Sequence, residues 1–337
     1  MAELTFTGER FLPGCTGEIA YEHWHRYAFA RRFVAGKRVL DAACGEGYGT
    51  MLLGAVAQSV LGVDVDVATI NHAKAAYGET VHRRFIAASC AGMPLPSASI
   101  DVIVSFETIE HVDAVEQRQM MGEFARVLKP DGLLIMSSPN KRLYSEARNY
   151  VNPYHVNELD REGFARLLMP RFPAQRWLHQ RLAYWSTIWS EGETAGETEA
   201  WLGSASEIRP YATPEAMYFI VVAARAKEAL PAIGLKVSLF TDAEESAVRR
   251  AEADAHEALR LDELLKERDL ALAERNELLQ HMHAVAEERR QLVVDREAQI
   301  AEIQKVREDR ELIVAERERQ LAAAIDDRDR RIADLDH

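Results

Sequence analysis

The sequence predicts a doubly wound, mostly parallel α/β sheet followed by a long α-helical coiled coil. Two observations carry this. The stretch GKRVLDAACGEGYGTMLLGAVAQSVLGVDVD, from Gly36 to Asp66, holds a strand, a glycine turn, a helix and a second strand. That is half of a mononucleotide-binding unit. From Asp242 onward the chain has no Gly and no Pro, and it carries a strict seven-residue repeat.

Each residue type in the first stretch has a physical task. Val39-Leu40 is an apolar strand ending in Asp41. Gly45 and Gly47 lack Cβ, so the turn can be tight and a ligand can approach the backbone. Asp64 falls at the carboxyl end of the second strand, where a carboxylate can accept both hydroxyls of a ribose. Asp41 can hold a cationic ligand group or orient the turn. The dinucleotide pattern G-x-G-x-x-G fails, because Thr50 stands at its third position. An acid opening the loop also suits a ligand with an ammonium and a sulfonium better than a pyrophosphate.

These residues resemble the first motif of class I S-adenosylmethionine (AdoMet) methyltransferases, in which an acid starts the loop and a second acid closes strand two. Ala43 stands where that family has its first glycine. The resemblance implies a Rossmann-like sheet and AdoMet as cofactor. It also implies an adenine contact after strand three, where Ser89 replaces the usual Asp and the Cys90 backbone can meet the ring. The runs GERFLPG and GEIAYEHWHRYAFA, before the glycine turn, are similar to methyltransferases of bacterial surface-polysaccharide assembly. Among those are enzymes that terminate the O-antigen of lipopolysaccharide at its non-reducing end. The similarity covers the first 240 residues.

The chain then reads in order. Residues 1–35 form an N-terminal lid, with a helix from Glu18 to Phe33 crowded with Tyr21, Glu22, His23, His25, Arg26 and Tyr27. Arg26 is the candidate partner for the methionine carboxylate of the cofactor. Helix Asp66 to Tyr77 leads to strand three, Phe85 to Ala87. Strand four, Asp101 to Ser105, delivers Phe106-Glu107-Thr108-Ile109-Glu110-His111 to the carboxyl edge, where ligands meet such a sheet. Helix Glu116 to Lys129 and strand Leu133 to Ser138 follow. Residues 139–158 and 186–214 are candidate substrate insertions. Ala174 to Gln180 and Ala216 to Ala224 complete seven strands as a hairpin-like antiparallel edge.

Glu107, Glu110 and His111 are spaced i, i+3, i+4, which on a helix shares one face. With His155 from the insertion they form a candidate site for a divalent metal such as magnesium or manganese. It resembles the metal site of RNA 3′-end and quinone-biosynthesis O-methyltransferases. A sugar hydroxyl needs a base or a metal to become nucleophilic, and His111, His155 or Glu107 can serve as the catalytic group without metal. A phosphate acceptor needs no base, and Lys141, Arg142 or Arg26 can hold it.

The chain has 337 residues and a net charge of −13. Asp242 to His337 holds 27 acids against 17 bases, so the excess acid lies in the tail. An acidic chain without a basic stripe disfavours nucleic acid as a partner. Cys15, Cys44 and Cys90 match neither a disulfide framework nor a zinc pattern, which points to the cytoplasm. No run reads as a signal peptide or a transmembrane segment. Association with the inner face of the cytoplasmic membrane would be peripheral.

The tail, 241–337, carries one seam through Leu265, Leu272, Leu279, Ala286, Val293 and Ile300 and another through Leu261, Arg268, Arg275 and Met282. Leu264, Leu278, Val285 and Leu292 widen the first. From Leu261 to Leu335 this spans roughly 110 Å at 1.5 Å per residue. The period predicts a left-handed coiled coil and a homo-oligomer, dimer or trimer. In the polysaccharide enzymes a coiled coil follows the catalytic part and helps set chain length. The expected function is AdoMet-dependent O-methylation of a glycan or glycolipid end. The alternatives are a scaffold that recruits a glycosyltransferase and a small-molecule O-methyltransferase.

Overall fold

A computed structural model describes residues 17–183, 185, 187–188, 198–204, 207–210 and 214–335. The chain divides into two compact units, Met1–Arg250 and Ala251–His337. Most of the candidate insertion at 186–214 and the motif at 8–14 lie outside the described residues.

The first unit begins with α1, Glu18–Val34, and then alternates strand and helix. β1 is Arg38–Ala42, α2 Tyr48–Gly54, β2 Ser59–Asp64, α3 Val67–Tyr77, β3 Arg83–Ala87 and β4 Ile100–Ser105. α4, Ala114–Val127, leads to β5, Leu128–Pro139. After α5, Arg161–Leu168, come β6, Ala174–Gln180, the short pair β7, Trp201–Gly203, and β8, Ile208–Pro210, and finally β9, Tyr218–Ala224. The main sheet has seven strands in the order β3-β2-β1-β4-β5-β9-β6. The order turns between β1 and β4, and ligands bind at the carboxyl ends flanking such a switch.

The sheet is mixed. β9 runs antiparallel to both β5 and β6, which pairs it inside the sheet and leaves β6 as the edge. The antiparallel pair was legible, but the insertion of its second strand between β5 and β6 was not. β5 also starts earlier than expected. Residues Leu128 to Gly132, read as helix end and turn, form a bulged strand start paired through Ile100 and Leu128.

Both faces of the sheet are covered, which is why the strands read as nearly continuous apolar runs. Val39, Val60, Val104 and Ile135 pack toward α1 and α2 with Ala30 and Leu53. Leu40, Val63, Ile103 and Leu134 pack toward α4 and α5 with Phe124 and Phe164.

Helix α1 has a second grip. Its outer side holds Phe240, whose ring lies 5.9 Å from Tyr21, 6.5 Å from Trp24 and 5.6 Å from His25. Asp242 accepts the Ser246 amide at 2.9 Å and the Glu244 amide at 3.1 Å. The first unit therefore runs past the boundary expected at 240, to Arg250.

The tail is one helix, α6, Ser246–Leu335. Its seam residues Leu265, Leu272 and Leu279 are all exposed. Among the described residues no helix is long and apolar enough to cross a membrane.

Candidate functional site

The glycine turn leaves β1 with three left-handed residues, Ala43 at φ 57°, Gly45 at φ 54° and Gly47 at φ 95°. Gly47 has a second reason to lack a side chain, since a Cβ there would sit 2.8 Å from Phe85 and 2.9 Å from Ala73. Ala43 adopts a conformation that costs a residue with a Cβ about 1 kcal/mol or more. Ala43→Gly is therefore expected to raise the melting temperature of the first unit by about 1–4 °C, for a gain of about 0.5–1 kcal/mol. Calorimetry showing a lower melting temperature would refute the strain argument.

Two acids hold this turn. Asp64, at the end of β2, accepts the Gly45 amide at 3.0 Å and the Asp66 amide at 3.0 Å. Asp41, fully buried, accepts the Thr50 hydroxyl at 2.6 Å and the Tyr27 hydroxyl at 3.1 Å. Burial pushes the Asp41 carboxyl up to about 6. Ser89 and Cys90 follow β3 beside Asp64. Ser89 accepts the Ala91 amide at 3.0 Å, and burial pushes the Cys90 thiol up to about 12.

Arg26 lies at the opposite wall of the same edge and is 1% exposed. Its Nε donates to Gln180 at 2.6 Å, and its guanidinium sits 4.4 Å over the Tyr218 ring. Glu107 Oε1 is 3.5 Å away. Both terminal nitrogens lack a hydrogen-bond acceptor among the described residues. Burial pushes the neighbouring Glu22 up to about 7, against the pull of Arg26.

The expected helical face of Glu107, Glu110 and His111 does not form. Only Ile109–His111 makes a single 3₁₀ turn, and Glu107 precedes it in left-handed backbone at φ 48°. Glu107 turns to Ser137, whose hydroxyl donates to it at 2.6 Å, and to Arg26. Glu110 is fully buried, with both carboxylate oxygens lacking a hydrogen-bond partner among the described residues. Burial and the nearby Glu107 push its carboxyl well above the usual range.

His155 does reach this edge, because the Glu110 carbonyl accepts the Val156 and Asn157 amides at 2.8 and 3.0 Å. His155 Nδ1 lies 2.5 Å from Glu158 Oε1, and its Nε2 lies 2.9 Å from the Asn152 amide nitrogen. The Asn152 amide group donates, so the Nδ1 proton points at Glu158. His111 Nδ1 meets the Tyr154 carbonyl at 3.1 Å. The two imidazoles stand perpendicular with centroids 5.0 Å apart, and Tyr144 stacks on His155 at 5.3 Å.

Ligand atoms of Glu110, His111 and His155 lie within 4.8 Å of one another. Three of the four residues expected to hold a metal are therefore together, while Glu107 turns away to Arg26 and Ser137. The sequence reading gave Gln180 and Tyr218 no place beside Arg26, and it did not pair His155 with Asn152 and Glu158. The last two had a signal, a spacing of three residues on either side of the histidine.

Comparison with known proteins adds the family. A methyltransferase-domain family model matches residues 40–136. A protein of Mycolicibacterium smegmatis described as a "Probable S-adenosylmethionine-dependent methyltransferase" is 40% identical over 168 residues, covering 49% of this chain and 63% of that protein. One of the same description from Mycobacterium tuberculosis is 37% identical over 171 residues, 50% of this chain and 61% of that protein. A ubiquinone biosynthesis O-methyltransferase of Rhizobium johnstonii is 30% identical over 132 residues, 38% of this chain and 51% of that protein. The chain thus spans under two thirds of these relatives. The matched region, residues 40–136, holds the strand order's switch, the glycine turn and its two acids, and it is this region that is similar to AdoMet-dependent methyltransferases.

Proposed function

We propose that this protein is an AdoMet-dependent O-methyltransferase acting on the non-reducing end of a bacterial surface polysaccharide at the cytoplasmic side of the membrane. The observation that carries the O-methyl part is the buried His155–Glu158 pair beside the loop after β4. Asp64 would take the ribose hydroxyls and Arg26 the methionine carboxylate. The acceptor hydroxyl would replace Asn152 at His155 Nε2. Its proton would pass to that nitrogen, and AdoMet, held by Asp64 and Arg26, would supply the methyl group. Glu158 balances the imidazolium. A phosphate acceptor would instead rest on Lys141, Arg142 or Arg26 and need no base. The glycan itself rests on the resemblance of the N-terminal half. Tyr144, Tyr150 and Tyr218, grouped within 6.0 Å, are compatible with stacking on a sugar ring.

The test is transfer of labelled methyl from AdoMet to glycolipid extracts and to plain or phosphorylated oligosaccharides, with and without EDTA. Transfer that survives EDTA and fails in His155→Ala supports the histidine base. Transfer abolished by EDTA and restored by magnesium or manganese would replace the base with a metal. Transfer only to quinol-type phenols would move the function to a small-molecule O-methyltransferase, the reading favoured by the ubiquinone relatives. AdoMet binding with no transfer at all would favour the scaffold that recruits a glycosyltransferase.

We also infer that the tail assembles the protein with further copies of itself. The exposed leucine and valine seams of α6 need a partner, because a lone helix gains nothing from them. A chain ended after Arg250 should be monomeric in light scattering, against a dimer or trimer for the full chain. An unchanged oligomeric mass would refute this.

A further inference from the structure

We propose that Tyr27 is the positioning residue of Asp41, through which helix α1 sets the affinity of the glycine turn for AdoMet. The proposal rests on the AdoMet reading of that turn.

Asp41 is fully buried, and no cationic side chain pairs with it among the described residues. A carboxylate in that position keeps its charge only through hydrogen bonds donated to it. It has two side-chain donors, Thr50 at 2.6 Å and Tyr27 at 3.1 Å. Thr50 belongs to the turn's own helix, α2. Tyr27 alone comes from outside the β1–α2 unit, from α1.

The fold makes room for this contact. A Cβ on Gly49 would lie 2.0 Å from Tyr27 Cζ, so the ring occupies the space that glycine leaves. The ring is pinned edge-on between Tyr48 and Phe106, each with centroids 5.2 Å away. Tyr27 is 4% exposed, so water cannot take its place as donor. Asp41 sits two residues before Ala43, where the turn enters its left-handed stretch. Its ionised carboxylate supplies the negative charge that a ligand bearing an ammonium and a sulfonium requires.

The titratable groups around Asp41 are few. They are Tyr27 on α1, Tyr48 on α2, Asp64 on β2, and Cys44 and Cys90 on the turns after β1 and β3. Burial pushes both tyrosines and both thiols up, so they stay neutral at physiological pH. The nearby Asp64 opposes ionisation of Asp41. Burial has already brought the Asp41 carboxyl to about 6. Losing one of its two donors therefore moves its titration into the range where the protein binds its ligand.

The test is calorimetric AdoMet affinity of the full chain from pH 6 to 8.5, for wild type and Tyr27→Phe. Phenylalanine keeps the ring and its packing and removes only the donor. The expected result is a loss of about fivefold at pH 6 that falls to about twofold at pH 7 and vanishes by pH 8.5. These are the factors for a displacement of about one pK unit from about 6, with binding proportional to the ionised fraction. A loss of equal size at every pH would mean that Tyr27 acts only by packing, and would overturn the proposal. So would an affinity equal to wild type throughout. Thr50→Val, which removes the other donor from within α2, should reproduce the pH-dependent loss, and its failure to do so would also count against the proposal. If wild type binds no AdoMet at any pH, the cofactor reading of the turn fails first, and the two failures are distinct.

Discussion

Arg26→Met is expected to destabilise the first unit by about 3–5 kcal/mol, the usual effect of removing one partner from a buried charge cluster. In calorimetry this is a fall in melting temperature on the order of 10 °C. The reason is the company Arg26 keeps. It is 1% exposed, and its charge faces Glu22 and Glu107 while its Nε holds Gln180. Methionine fills much of the space over Tyr218 but leaves two carboxyls without a counter-charge. The deficit should depend on pH. Glu22 is raised to about 7 in the folded protein, above its unfolded value. Ionising it therefore costs stability as pH rises through that range, and Arg26 offsets part of the cost. The variant should be hurt more at pH 8 than at pH 5.5. A melting temperature within about 2 °C of wild type at pH 8 would refute the cluster.

Asp64→Ala is expected to lower AdoMet affinity by roughly a hundredfold or more, because two charge-assisted hydrogen bonds of about 1.5–3 kcal/mol each are at stake. In the proposed reading the carboxylate would accept the ribose hydroxyls, and it holds the Gly45 and Asp66 amides. Alanine removes the ligand's acceptor and also frees the turn that shapes the site. Near-ultraviolet circular dichroism should show the fold retained. Unchanged affinity in calorimetry would sink the ribose assignment.

The parts of the site that were legible are those built from neighbours in sequence. Asp41, Ala43, Gly45, Gly47 and Asp64 fall within one strand–turn–helix–strand stretch, and glycine spacing with an acid at each strand end announces it. The parts that were not legible are built from distant segments. Arg26 meets Glu107, Gln180 and Tyr218, which come from three other elements. No local pattern encodes that meeting. The helical face expected for Glu107, Glu110 and His111 failed for another reason. Their i, i+3, i+4 spacing assumes helical backbone, and the chain leaving β4 turns left-handed at Glu107 instead. In the tail the period predicts a helix, and α6 spans Ser246–Leu335.

Helix α1 presents Arg26 and Tyr27 to the sheet edge and grips Phe240 with Tyr21, Trp24 and His25 on its other side. The stretch before the long helix is therefore not an interchangeable tether. A chimera joined at residue 241 would keep the aromatic plug and discard Asp242, which fastens the start of α6 through Glu244 and Ser246. Exchange of tails between enzymes of this build would leave the catalytic half undisturbed only at a seam beyond Arg250. Drift in the few residues ahead of that seam would reach Arg26 and Tyr27 through the helix that carries them, without altering either residue.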